Sequence, residues 1–272
     1  MKIAFSTLAC PAWNLDRVLD TAVQLRFDGI ELRFIELDDQ LWLRPEFSGA
    51  GLKQTLRRLR DERIRVCCVD TSCFFHHPDA KLRQAALEMG QAMIELAASL
   101  GAPAIRVFGD RVQPGADRAA TVQWIVEGVQ ALAAFGRQQR IETWLETHGD
   151  FARTADTKKI LQAAGPEGTG AIWDPLNSFS EFGEDPAAGL EVLGTSLRHV
   201  HIKDARRKEF PWEPVLLGTG DFPAARLVGM LRKIDYPGFV SFEWEKRWHP
   251  QIPEPEVALP HFMRWMRAAL EA

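Results

Sequence analysis

Short apolar runs alternate with long amphipathic segments along the whole chain. The runs Ile3–Ser6, Gly29–Arg33, Arg65–Asp70, Ala104–Phe108, Glu142–Glu146, Ala171–Asp174, His199–Ile202 and Phe239–Phe242 are short enough to be buried strands. Helical spacing of apolar positions follows each of them, over Leu15–Leu25, Leu52–Glu62, Lys81–Leu100, Ala119–Arg137, Ala155–Ala163, Ala187–Leu193, Ala224–Ile234 and Pro255–Leu270. Repeated β-α units of this kind predict a parallel sheet with helices outside it. Eight units predict one (β/α)8 TIM barrel over residues 1–272, with its active site at the C-terminal ends of the strands.

The punctuation agrees with these boundaries. Gly101 follows the third helix, and Gly165–Pro166 follows the fifth, where a left-handed residue and then a proline end a helix. The stretch GTGDFP, Gly218–Pro223, has the look of a phosphate loop but lacks the Lys-Ser/Thr ending of one. It reads better as a turn in which Asp221 caps the seventh helix. No proline-rich or serine-rich linker divides the chain.

Composition narrows the functional classes. The 272 residues carry 33 Lys and Arg against 37 Asp and Glu, a net charge of −4. With no basic stripe or tail, nucleic acid is an unfavoured partner. No stretch approaches the length of a membrane span. MKIAFSTLAC reads as a first strand rather than a signal peptide, so the expected location is cytoplasmic. The four cysteines, Cys10, Cys67, Cys68 and Cys73, contain no CxxC pair and read as reduced, structural thiols. The helix after HPQIPEPEVALPHF either closes the barrel or covers a neighbouring copy, so a homo-oligomer stays open.

The predicted strand ends are rich in ionisable groups. Glu146, Asp174, His201 and Glu243 each follow an apolar run, on four successive strands. Singly, such a residue is more often a cap or an ion-pair partner, but four together point to converging ligands. Three carboxylates and one imidazole make a hard donor set, suited to Mn²⁺, Mg²⁺ or Co²⁺, with Zn²⁺ as an alternative. A cation would also relieve the repulsion among three carboxylates. Strand alternation places His199 and His201 on one face, and His201 is favoured as the ligand because it lies nearer the strand's end.

The motifs DGIELR, LETHGD, IWDPLNS, HVHIKD, LGTGDFP and GFVSFEWEKRWHP, in this order and spacing, resemble the xylose-isomerase-like TIM-barrel family of sugar isomerases and epimerases. The resemblance covers essentially the whole chain. It implies that Glu146, Asp174, His201 and Glu243 bind one divalent metal, commonly manganese, and that Glu146 and Glu243 also exchange a proton with the carbon next to a substrate carbonyl. The expected partner is a small polyhydroxylated substrate, and the expected activity is isomerisation or epimerisation through an enediolate. A lyase or dehydratase of a sugar, inositol or dehydroshikimate type would begin with the same proton abstraction. An apurinic-site endonuclease shares the barrel but needs a multi-metal cluster and a basic face.

His148, Asn177, Lys203 and Arg33 would face the barrel mouth and are the candidate substrate contacts. For Arg33, an ion pair with Glu31 on the same face is an equal alternative. His76 and His77 read as a solvated loop pair. The Arg206–Arg207–Lys208 run reads as a solvated face, with a phosphate contact as the alternative. Of the nine tryptophans, Trp13, Trp42, Trp212, Trp244 and Trp248 fall near strand ends or loops, whereas Trp124 and Trp265 fall in helices.

Overall fold

The structure is a computed structural model that describes residues 1–208 and 211–271. Eight parallel strands close into a barrel: β1 (Lys2–Ser6), β2 (Gly29–Leu32), β3 (Arg65–Phe74), β4 (Ala104–Phe108), β5 (Glu142–Glu146), β6 (Thr169–Trp173), β7 (Leu197–Ile202) and β10 (Phe239–Phe242). Around the ring the order is β1, β10, β7, β6, β5, β4, β3, β2, so first and last strands pair and no edge is left open. A short antiparallel hairpin, β8 (Asp204–Arg206) with β9 (Glu213–Val215), stands above the end of β7.

Helices α1 (Leu15–Leu25), α2 (Gly49–Glu62), α3 (Ala80–Leu100), α4 (Arg118–Arg137) and α5 (Thr154–Ala164) follow the first five strands. Then come α6 (Pro175–Phe182), α7 (Pro186–Leu193), α8 (Ala224–Lys233) and α9 (Pro255–Glu271). The short helix α6 was not expected from the apolar pattern. Its signals are local: Asp174 accepts from the backbone N–H groups of Leu176 and Asn177, and Pro175 occupies the first turn. Asp174 is therefore a helix cap one residue beyond β6 rather than the last residue of that strand.

The main apolar core lies between the sheet and the helices. Phe262 of α9 stacks on Phe242 at 4.4 Å and lies 6.0 Å from Phe27, which in turn meets Phe5 at 4.7 Å. Those rings seal the seam between the first and last strands. A second buried cluster, Cys68, Ala104, Trp144 and Ile172, is separate from that core. Strand alternation then puts Asp70, Arg106 and Glu146 on the same face as Cys68, Ala104 and Trp144, above an apolar plug. Between β2 and β3 the register shifts at Ile30/Glu31, so Ile30 faces Val66 while Glu31 faces Cys68.

The GTGDFP turn differs from the sequence reading. Asp221 does not cap α8, which begins after Pro223 without a side-chain cap; its carboxylate instead accepts from the Arg207 N–H at 2.7 Å. The GTGDFP loop wraps the buried Asp204 carboxylate, which accepts from the N–H groups of Ala205, Gly218, Gly220 and Phe222 at 2.8–3.2 Å. Glycine is required there for space: a Cβ at Gly220 would lie 2.3 Å from Asp204 Oδ1, and Gly218 has φ +82°. The loop does bind an anion, but the anion is one of the chain's own side chains. His76 is buried against Phe74, with ring centroids 4.7 Å apart, because β3 runs on to Phe74 and brings His76 close behind the sheet.

Candidate metal and catalytic site

Glu146 is the last residue of β5, His201 lies near the end of β7, Glu243 follows β10, and Asp174 caps α6. One donor atom from each lies within 4.8 Å of the others, and all four side chains are buried. His201 Nδ1 stands between two carboxylates, 3.2 Å from Glu146 Oε1 and 3.4 Å from Glu243 Oε1. On the opposite edge of the same ring, Nε2 is 3.1 Å from Glu31 Oε2.

Two cations serve this acidic cluster. Arg106 Nη1, from β4, donates to Glu146 Oε2 at 2.5 Å. Lys203 Nζ lies 2.7 Å from Asp174 Oδ2, 2.8 Å from Glu243 Oε2 and 2.5 Å from Glu245 Oε1. The contact with Asp174 is an ion contact without hydrogen-bond alignment, and Oδ2 has no other partner.

Charge balance follows from these contacts. Burial and the neighbouring Glu243 would raise the Glu146 carboxyl, but Arg106 and His201 outweigh them and bring it down to about 2. Glu243 is held well below its usual range against burial by His201 and Lys203. Burial wins at Asp174, which is pushed up to about 7 despite Lys203. Burial would lower His201, yet the charges of Glu243, Glu31 and Glu146 hold it well above the ordinary imidazole value.

The four carboxylate and imidazole donors fit a divalent cation. His201 Nδ1 is aimed between two carboxylate oxygens, a position where its proton can be exchanged for a cation, and Asp174 Oδ2 is buried without a hydrogen bond. His199 is not among the four. Its Nε2 lies 2.6 Å from Glu31 Oε2, and its ring faces Trp144 at 5.9 Å. Below it, Glu31, Asp70 and His201 also lie close together, and Glu31 Oε1 and both Asp70 oxygens have no hydrogen-bond partner.

The candidate substrate contacts divide. A cleft of about 400 Å³ beside the cluster is lined by His148, Asn177, Lys203, Glu243 and Glu245, with the indoles of Trp212 and Trp244. His148 Nδ1 is 3.2 Å from Asp110 Oδ1, and Asn177 Nδ2 donates to the Thr147 carbonyl at 3.1 Å. Trp212 is set by Phe179 of α6, edge-to-face at 5.7 Å.

Arg33 does not line this cleft, nor does it pair with Glu31. The chain leaves the sheet after Leu32, where the N–H groups of Arg33 and Phe34 donate to Thr7 Oγ1, so strand alternation no longer applies. The guanidinium donates to Ser72 Oγ at 2.7 Å and lies over the Phe34 ring. Arg206 and Lys208 are engaged as well, with the Thr219 carbonyl and Glu213. A larger cavity, about 730 Å³, lies at the N-terminal ends of the strands among Arg60, Arg65, Leu100, Pro103 and Phe239, away from the cluster.

Arg106 was missed in the sequence. Its signal was a lone charge inside the apolar strand AIRVF, on the inward face shared with Ala104. The sequence matches the xylose isomerase-like TIM barrel model over residues 19–269. The chain belongs to that family. No curated protein matches the sequence. Among solved structures, several superpose over nearly the full length at low identity. The probable 3-DHS dehydratase AsbF from Bacillus anthracis is 17% identical, with TM-score 0.82 over 98% of this chain and 99% of that one. The IOLI protein with a binding zinc atom is 16% identical, with TM-score 0.83 over 99% and 98%. The 3-keto-D-glucoside 4-epimerase YcjR from E. coli is 18% identical, with TM-score 0.78 over 98% and 99%. At these identities the likeness establishes the fold. Among the described residues, no helix is long and apolar enough to cross a membrane.

Proposed function

We propose that the protein is a divalent-metal-dependent isomerase or epimerase of a small sugar or keto-sugar. The observation that carries this reading is the convergence of Glu146, Asp174, His201 and Glu243, with the two glutamates on either side of His201 Nδ1. Those four residues would hold the cation. The donor set admits Mn²⁺, Mg²⁺ and Co²⁺, with Zn²⁺ as an alternative, and the family resemblance puts Mn²⁺ first. When bound, the cation supplies Lewis-acid stabilisation of the charge that develops on the substrate's oxygens as its C–H bond is broken.

The chain's own residues supply the rest. Glu146 and Glu243 are ionised, as a base must be, and Arg106 and Lys203 fix their second oxygens. One glutamate takes the proton next to the carbonyl, and the other returns a proton that it has first taken up from water, so the two exchange protonation states in each turnover. Return to the opposite face of the same carbon epimerises, whereas return to the neighbouring carbon isomerises. The cleft offers indole faces at Trp212 and Trp244 with polar groups at His148, Asn177 and Glu245, a lining suited to a small polyhydroxylated molecule.

The second reading is a lyase or dehydratase that starts with the same abstraction. One proton donor in the cleft favours it: His148, which burial would lower but which Asp110 and Glu146 raise above the ordinary imidazole value. Elemental analysis of the purified protein, with product analysis on keto-sugars and dehydrated acids, tests both. Bound divalent metal that is lost in Asp174→Asn, with substrate and product of equal mass, is the expected result. Loss of water from the substrate selects the second reading, and a protein that retains no divalent metal overturns both.

A further inference from the structure

We propose that Glu31 is the positioning residue that presents Nδ1 of His201 to the cation, a role that rests on the metal-site reading above. Glu31 lies on β2, separated from β7 in the barrel ring by β1 and β10, so its side chain reaches across the barrel interior. It is fully buried, and a single oxygen, Oε2, stands 2.6 Å from His199 Nε2 and 3.1 Å from His201 Nε2. An ionised carboxylate only accepts, so each imidazole must direct an Nε2–H at it.

That assignment has a consequence at the other edge of the His201 ring. Without a cation Nδ1 also directs a hydrogen at its carboxylate neighbours; a cation would displace that proton, and the neutral imidazole that keeps its hydrogen on Nε2 offers its lone pair on Nδ1. Nδ1 is the atom that faces Glu146 and Glu243 at 3.2 and 3.4 Å. Glu31 therefore fixes both the tautomer and the plane of the ring that contributes the only nitrogen in the four-residue set. Arginine pairing does not explain Glu31: Arg33, on the same segment, is turned to Ser72, and Arg106 bonds Glu146 and the Thr71 carbonyl. His199 competes with His201 for the same oxygen, which separates a positioning role from simple packing. Removing His199 leaves the contact between Glu31 and His201 in place, whereas removing the Glu31 charge loosens it.

The test is titration of the chelator-treated full chain with Mn²⁺, followed calorimetrically, for wild type, Glu31→Gln and His199→Gln, with thermal melts to confirm folding. Glu31→Gln is expected to weaken Mn²⁺ binding roughly 10–100-fold, while His199→Gln stays within about a factor of three of wild type. Glu31→Gln binding as tightly as wild type, or equal losses in both variants, overturns the proposal while leaving the metal site intact. Wild-type protein that binds no Mn²⁺ contradicts the metal-site reading itself and this role with it. If Glu31→Gln does not fold, nitrogen NMR of histidine-labelled wild type loaded with Zn²⁺ decides the matter. His201 with hydrogen on Nε2 and the cation on Nδ1 supports the role, and the reverse assignment overturns it.

Discussion

Arg106 Nη1 donates to Glu146 Oε2 at 2.5 Å, and both side chains are buried. The bond ties β4 to β5 at the barrel mouth and holds a candidate base ionised and in one orientation. Arg106→Met removes the cation and leaves Glu146 buried beside Glu243. The expected cost is roughly 3–5 kcal/mol of stability in chelator, as for a buried pair that loses one partner. With Mn²⁺ present the loss should be smaller, because the cation takes over the charge. Urea unfolding in chelator and in Mn²⁺ checks this, and an equal loss in both would contradict it.

Lys203 contacts three carboxylates, two of which, Asp174 and Glu243, are candidate ligands. An ammonium there competes with a divalent cation for the same oxygens. Lys203→Met should tighten Mn²⁺ binding by about tenfold, equivalent to about 1.4 kcal/mol of removed repulsion. The same variant should lose stability in chelator, where three carboxylates are left without their counter-ion. Competition against a fluorescent chelator gives the affinity, and weaker binding would speak against this account of Lys203.

Asp204 organises the wall of the cleft. Four backbone N–H groups converge on its carboxylate, and the hairpin that starts there brings Trp212 and Pro214 to the cleft. Asp204→Ala should cost roughly 3 kcal/mol and speed hydrogen exchange at Gly218, Gly220 and Phe222. KM should rise more than kcat falls. Unchanged exchange at those amides would show that the loop does not depend on the carboxylate.

The four cysteines are buried and free, and burial pushes each thiol up, Cys73 to about 11. Native protein should react with a thiol reagent far more slowly than protein in denaturant. A raised thiol contributes stability that is complete below the unfolded value, near 9.0 for Cys73, and is lost as pH rises toward 11. Denaturation midpoints should therefore fall across that alkaline interval. A midpoint that stays flat there in wild type, or falls equally in Cys73→Ala, would contradict the assignment for Cys73.

All eight barrel strands were legible because short apolar runs alternate with amphipathic helices. What escaped depended on local or tertiary chemistry. The helix α6 is too short to show a period, and only the Asp174-Pro175 start marks it. Arg33 shares a parity with Glu31, but Thr7 pulls the chain out of the sheet between them, so alternation misplaced it. Asp221 looked like a cap because the carboxylate that the glycine loop serves, Asp204, precedes that loop by more than a dozen residues. Arg106 acts on the neighbouring strand and Glu31 across the barrel, on partners 40 and 170 residues away, distances at which periodicity is silent.

The central claim is proton transfer next to a carbonyl by Glu146 and Glu243. Its most direct test is incubation of the Mn²⁺-loaded protein with a panel of keto-sugars in D₂O, followed by proton NMR and mass spectrometry. The account predicts deuterium at the carbon next to the carbonyl of at least one substrate, lost on chelation and in both Glu146→Gln and Glu243→Gln. Metal-loaded protein that exchanges no carbon-bound proton across a broad panel, or exchange that survives both substitutions, would contradict it.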